Sequence, residues 1–248
     1  VNGILNINKP AGVTSFDVVR KIKRIAGTKR VGHTGTLDPE ASGVLPVCIG
    51  GATKFADYIM KDEKVYRATL RLGIITDTYD RTGNVLKTST VSVDEDESIK
   101  AIKSFVGRIK QVPPMYSALK VKGERLYSLA RKGIEIEREP RDIEIFGIEI
   151  LEINLPDIIF NVRCSKGTYI RSLCYDIGEK LNCGGTMWDL VRISSGIFSI
   201  ENSVKLEDLN EDNIKDCLIP VENALKDYPT ASFDEKYGAL LINGVSLM

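Results

Sequence analysis

Polar and apolar positions change their spacing several times along these 248 residues, and each change predicts an element. Val18, Val19, Ile22 and Ile25 recur at helical intervals, with Ser15 as N-cap and Asp17 in the first turn. Leu45 to Ile49 reads as a short buried strand leading into a helix near Thr53 to Met60. Tyr66, Ala68, Leu70 and Leu72 alternate with Val65, Arg67, Thr69 and Arg71, which predicts a strand with one apolar face. Asp77, Asp80 and Gly83 mark a turn-rich loop, and Ser92 to Val106 predicts a surface helix whose acidic start suits a helix N-terminus. Strands follow over Ile143 to Ile153 and Ile158 to Cys164. Thr168 then opens a helix with the stripe Ile170, Leu173, Cys174, Ile177 and Leu181. Strands separated by helices and hairpins predict an α+β fold, a mixed and largely antiparallel sheet flanked by helices. The length suffices for one large core, or one core with a small appendage.

The stretch from Gly107 to Arg141 differs in kind, because prolines, Tyr116, Tyr127 and basic residues interleave there, with a short helix expected over Arg125 to Lys132. Such a mixture can stack on bases and hold phosphates. Net charge is zero, from 34 basic and 34 acidic residues, yet the charges are segregated. Residues 1–30 balance to +6 and residues 108–141 to +5, offset by −6 over residues 200–248. Local positive field steers phosphate backbones whatever the total, although either segment alone is equally a solvated face. Five cysteines, at 48, 164, 174, 183 and 217, show no metal-ligand spacing, so free thiols are expected. No apolar stretch approaches the roughly 20 residues of a membrane span, and no basic-then-apolar leader is present, so a soluble, cytoplasmic protein is expected.

The candidate chemistry concentrates in Gly32-His33-Thr34-Gly35-Thr36-Leu37-Asp38-Pro39, which carries the only histidine. Glycines let this loop turn sharply, and Pro39 excludes Asp38 from helical backbone. Asp38 is either a reacting carboxylate or a cap for the turn that follows. Tyr66, at the start of its strand, either lines a pocket or completes the core. Arg171 lies off its helix stripe in the first turn, where a cation opposes the helix dipole, so a carboxylate or phosphate partner is expected nearby.

The aspartate loop resembles the motif of the pseudouridine synthases, in the bacterial stand-alone branch that modifies uridine-55 in the T-loop of tRNA. Further blocks resemble that family in the same order: Asn8 to Ser15, Thr53 to Phe55, Lys64 to Arg67, Val112 to Lys120, Gly123 to Gly133, and Cys164 to Leu173. The resemblance implies a catalytic domain over residues 1–227, a thumb insertion at about 107–141 that grips the T-arm, and an incomplete PUA-like RNA-binding segment over 228–248. It implies catalysis by Asp38, attacking ribose C1′ or removing the C2′ proton, with Arg171 paired to it and Tyr66 against the target base. Tyr169 and Leu190 would line the pocket, and His33 would fill space left by extruded nucleotides. Lys9, Lys54, Arg131 and Lys132 would contact the RNA backbone. No cofactor or metal is implied, since isomerisation adds and removes nothing. The partner would be the tRNA T-arm stem-loop, bound by a monomer without an obligate protein partner. Val191, Ser194 and Ile197 depart from the family pattern, where two arginines and a proline are usual. Three alternatives stand beside this reading: a guide-RNA-dependent catalytic subunit, a pure RNA-binding module, and a nucleoside hydrolase.

Overall fold

A computed structural model describes residues 1–60, 63–117, 119–121 and 123–244. In chain order it contains β1 (Gly3–Lys9), α1 (Ser15–Ile25), β2 (Val31–His33), β3 (Ser42–Ile49), a 3-10 turn (Gly50–Phe55), α2 (Ala56–Ile59) and β4 (Lys64–Leu72). Next come β5 (Ile74–Thr76), β6 (Val85–Thr88), α3 (Glu95–Lys103), β7 (Gly107–Gln111), β8 (Lys120–Val121), β9 (Glu124–Arg125) and α4 (Leu126–Arg131). The rest is β10 (Arg141–Asn154), β11 (Asp157–Cys164), α5 (Ile170–Lys180), β12 (Gly185–Ser195), β13 (Phe198–Ser199), β14 (Val204–Lys205), α6 (Val221–Ala224), a second 3-10 turn and α7 (Gly238–Ile242).

One sheet organises the molecule, in the order β14-β1-β3-β12-β4-β11-β10-β7, with β2 beside β3 and β13 beside β12. Among the strands of the described residues, only β1·β14 and β3·β12 pair in parallel. The main core lies on the face where α1 and α5 bring Val18, Val19, Ile22, Leu173, Cys174 and Ile177 against the strands. A smaller core on the other face gathers Ile4, Val44, Cys48, Ile59 and Phe198. β1 and β3 are therefore buried on both faces and read as continuous apolar runs rather than alternating ones. Among the described residues no helix is long and apolar enough to cross a membrane, and all five cysteines are free.

Several boundaries move from the sequence expectation for local reasons. Thr14, not Ser15, caps α1, in a capping box: its hydroxyl accepts from the Asp17 amide at 3.0 Å while the Asp17 carboxylate accepts from the Thr14 amide at 3.1 Å. Ser15 is thereby free to turn inward. The helix expected over Ser92–Val106 shortens to α3, started by an Asp94–Glu97 capping box and ended at Ser104. The helix expected near Thr53–Met60 is a 3-10 turn followed by the single turn of α2. Within the stretch 107–141, β7 and the start of β10 pair with each other at the sheet edge. What leaves the sheet is the segment 112–140, in which Ala118 and the basic Lys122 lie outside the described residues.

Helix α5, which carries Arg171, sits unusually close to the sheet. A Cβ on Gly178 would lie 2.0 Å from the Gly185 amide nitrogen, and one on Gly185 would lie 2.6 Å from the Cys174 carbonyl. Only paired glycines permit this contact between helix and strand backbone. Gly178→Ala should cost about 1–3 kcal/mol of stability by forcing the two apart. Gly147→Ala, at a site with nothing within 4 Å, should stay within about 0.5 kcal/mol in the same urea titration.

Candidate active site

Asp38 follows the short strand β2 in a loop that the rest of the protein holds from three sides. Ser15 at the start of α1 donates to the Leu37 carbonyl at 3.1 Å and accepts from the Leu37 amide at 2.9 Å. The Pro39 carbonyl accepts from the Gly12 amide at 2.9 Å and from Lys9 Nζ at 3.0 Å. Arg192, on β12, donates from Nη2 to the Gly35 carbonyl at 3.1 Å. A glycine-rich loop becomes a fixed platform because its backbone groups are tied to three distant segments.

Lys9 corrects the sequence expectation. It is 0% exposed, and Nζ donates to the carbonyls of Pro10 at 2.9 Å, Val13 at 2.7 Å and Pro39 at 3.0 Å. An ammonium with its three protons so directed is out of reach of an RNA phosphate. Burial pulls its pKa down to about 8, against the attraction of Asp38 and Glu40.

Arg171 is drawn to Asp38. Nε lies 2.9 Å from Asp38 Oδ2 and Nη2 donates to Oδ1 at 3.1 Å, a two-pronged pairing. The same guanidinium donates to the carbonyls of Tyr116 at 2.8 Å and Thr78 at 3.2 Å, and its Nη1 stands 3.8 Å from Asp80 Oδ2. One side chain thus joins α5, the aspartate loop, the 77–84 turn and the segment around Tyr116 that follows β7. The Arg171 side chain is 6% exposed, whereas that of Asp38 keeps 36% exposure, so the carboxylate faces the opening and the guanidinium lies behind it. The start of α5 lacks a side-chain cap of its own. Gln111 at the end of β7 substitutes, donating to the Tyr169 carbonyl at 3.0 Å and accepting from the Tyr169 amide at 2.8 Å. Ser172 adds a bond to the Val112 carbonyl at 2.8 Å.

Beside Asp38 opens a cavity of about 280 Å³, walled by Asp80, Arg81, Trp188 and Leu190 among others. Arg81 crosses its rim, 3.3 Å from Glu40 and 3.7 Å from Asp189. Burial raises the Asp38 pKa, Arg171 opposes that rise, and Asp80 adds to it; the balance is upward. Tyr66 and Tyr169 lie close enough to Asp38 to feel its charge, and burial raises both phenols. His33 is half-buried on β2, its Nδ1 accepting from the Gly35 amide at 3.3 Å, and burial lowers its pKa so that the ring is neutral near pH 7. The structure therefore brings Asp38, Arg171, Tyr66, Tyr169, Leu190 and His33 into one region. Lys54, Arg131 and Lys132 remain on the exposed surface. Arg131 lies 5.6 Å over the Tyr127 ring, and Lys132 lies 3.5 Å from Glu124.

Asp80, Arg81 and Arg192 belong to this centre without having been singled out for it from sequence. In the sequence Asp80 is marked only as a turn residue, and Arg192 only by lying between Val191 and Ser194, two positions that depart from the family pattern.

The architecture superposes on chains of two solved complexes. A chain of a Cbf5-Nop10-Gar1 complex matches with a TM-score of 0.77 and 33% identity, covering 99% of this chain and 68% of that one. A chain of an H/ACA RNP bound to a substrate RNA containing 2′-deoxyuridine gives 0.75 and 31%, over 99% and 67%. The fold is that of the pseudouridine synthase class. The chain belongs to the TruB family of pseudouridylate synthases, whose N-terminal domain model matches residues 23–170, followed by the tRNA pseudouridylate synthase B C-terminal domain over residues 171–226. Among curated relatives, tRNA pseudouridine synthase B of Clostridium tetani is 60% identical over 248 residues, covering all of this chain and 86% of the relative. The protein of the same name from Alkaliphilus oremlandii is 49% identical over 245 residues, covering 98% and 82%.

The charge arrangement around Asp38 is directly testable by 13C NMR of the aspartate carboxyls, with Asp38 identified by its loss in Asp38→Asn. Asp38 should titrate above its ordinary value of 3.8. Asp80→Asn removes a negative neighbour and should move that titration down; Arg171→Met removes the opposing cation and should move it up. A shift of either variant in the other direction contradicts the geometry.

Proposed function

We propose that this chain isomerises uridine-55 in the T-loop of tRNA to pseudouridine, with Asp38 as the reacting carboxylate. The observation that carries the reading is a carboxylate held by a two-pronged guanidinium at the mouth of a cavity large enough to receive a base. The names of the relatives at 49–60% identity supply the substrate class.

In this reaction the N1–C1′ bond breaks, the base turns, and a C5–C1′ bond forms; C5 gives up a proton and N1 gains one, so atoms balance without an added reactant. Asp38 acts at the ribose, as nucleophile at C1′ or as base at C2′, and either role needs the ionised form that Arg171 favours. Tyr66 lies beneath the base, where its ring stacks and its hydroxyl passes its own proton on as its oxygen takes up the C5 proton. Tyr169 and Leu190 complete the walls, and His33 packs against the RNA loop from which the base has been flipped. Lys54, Arg131 and Lys132 are exposed cations that can hold phosphates. The remaining thumb surface and a PUA-like segment over residues 228–248 would extend this grip; residues 245–248 of it lie outside the described residues. In this reading the chain acts as a single copy without an obligate protein partner.

An unmodified T-arm hairpin with tritium at uridine C5 tests the reading. Wild type should release tritium stoichiometrically, and Asp38→Asn should lose at least about 10³-fold in rate while RNA affinity stays within about threefold. Free uracil in place of pseudouridine would indicate a hydrolase, and turnover only after adding guide RNA and partner proteins would indicate a subunit that works as the Cbf5 complexes are assembled.

Neutralising Arg131 and Lys132 together should lower RNA affinity and reduce the slope of log affinity against log salt by up to about 2, one per phosphate contact. An unchanged slope would leave both cations facing solvent.

A further inference from the structure

Arg192 is the largest fully buried side chain in the protein, at 1% exposure, and the reaction described above makes no use of it. A buried guanidinium is expensive unless its donors are satisfied, and a carboxylate is its usual partner. Among the described residues no carboxylate stands within ion-pairing distance of Arg192; its contacts are carbonyls. Nε donates to Val44 at 2.6 Å, on the neighbouring strand β3, and Nη2 donates to Gly35 at 3.1 Å, three residues before Asp38.

The root of this side chain is fixed as firmly as its tip. β12 meets β3 where Arg192 pairs with Gly43, and a Cβ on Gly43, whose φ is +100°, would lie 2.3 Å from the Arg192 carbonyl oxygen. On its other side β12 pairs antiparallel with β4, and there Arg192 stands directly opposite Tyr66. Directly opposed residues point to the same face of a sheet, with their Cβ atoms about 5 Å apart. Two of the five guanidinium donors are bound to Val44 and Gly35, which leaves three. Tyr66 is the cross-strand neighbour on the same face of the sheet. Burial raises the Tyr66 phenol, and the foremost influence against that rise is Arg192, by charge and by hydrogen bond. The other charged or titratable groups acting on Tyr66 are Cys164 on β11 and Asp38 in the loop, and both push the phenol up. The Arg192 charge also pushes the pKa values of His33 and Lys9 down.

We propose that Arg192 is a positioning residue for Tyr66: braced on the Val44 and Gly35 carbonyls, its guanidinium sets the orientation and polarity of the phenol under the substrate base. This inference rests on the function proposed above. A lysine could keep the charge but could not bond both carbonyls and the phenol through one planar fork.

The test compares Arg192→Gln and Arg192→Lys, each alone and combined with Tyr66→Phe, in single-turnover reactions on the tritiated T-arm hairpin. Arg192→Gln should slow the reaction about 100-fold with RNA affinity within about threefold, and Arg192→Lys should recover about tenfold of that loss. In the Tyr66→Phe background Arg192→Gln should change the rate less than about threefold, because the group it positions is gone. Equal losses in both backgrounds, or a loss of affinity equal to the loss of rate, would overturn the inference. If Arg192→Gln fails to fold by circular dichroism, Arg192→Lys in the two backgrounds decides by the same comparison. A readout without RNA separates this inference from the proposed function. In 13Cζ-tyrosine spectra of the free protein, with Tyr66 identified among nine tyrosines by its loss in Tyr66→Phe, Arg192→Lys should move the Tyr66 resonance. An unmoved resonance sinks the positioning role whatever the enzyme does. A wild type that forms no pseudouridine sinks the function alone.

Discussion

The pairing of Arg171 with Asp38 is the constraint on which the site depends. Bringing a guanidinium out of water costs several kcal/mol after relaxation, and two contacts to one carboxylate would not by themselves recover it. The remaining donors go to the Tyr116 and Thr78 carbonyls, with Asp80 close behind. The cation is therefore satisfied only when the segment around Tyr116, the 77–84 turn, α5 and the aspartate loop are all in place. Such a pair contributes little net stability; what it supplies is a unique arrangement, since any one segment out of register leaves a buried charge without partners.

Three buried or nearly buried cations surround one loop: Lys9, Arg171 and Arg192. Lys9 and Arg192 hold the loop by carbonyls, at Pro39 and Gly35, whereas Arg171 holds its carboxylate. This division leaves Asp38 with a single direct charge partner and a side chain still open to the cavity. The opposing effects of burial, Arg171 and Asp80 then tune how readily the carboxylate ionises, which is the property that chemistry at a ribose requires. The exposed cations of α1 and of residues 112–140 differ from these three buried ones in standing in water, where a charge carries little desolvation cost.

Much of this was legible along the chain. The alternation of β4, the stripes of α1 and α5, and the short helix near residues 126–131 follow from local periodicity, which tertiary packing had no reason to override. Arg171 stood out because a cation in a first helical turn needs an anion, and Asp38 is that anion. β1 and β12 were harder to see, because strands buried on both faces or interrupted by register shifts carry no clean alternation. Lys9 was misread for a related reason: a lysine beside a proline turn looks the same whether its ammonium reaches solvent or a cage of carbonyls.

The sequence by itself determined the kinds of element, the reactive loop with its lone histidine and aspartate, and the family to which those blocks are similar. It did so because helix stripes, caps and proline turns are written within a few residues of one another. Only the tertiary structure decided that Arg192 lies across from Tyr66, that Asp80 stands behind Arg171, and that Lys9 points inward. Strand register and loop closure bring together residues separated by about a hundred positions or more, as from 66 to 192 or from 38 to 171, and no local pattern encodes those distances.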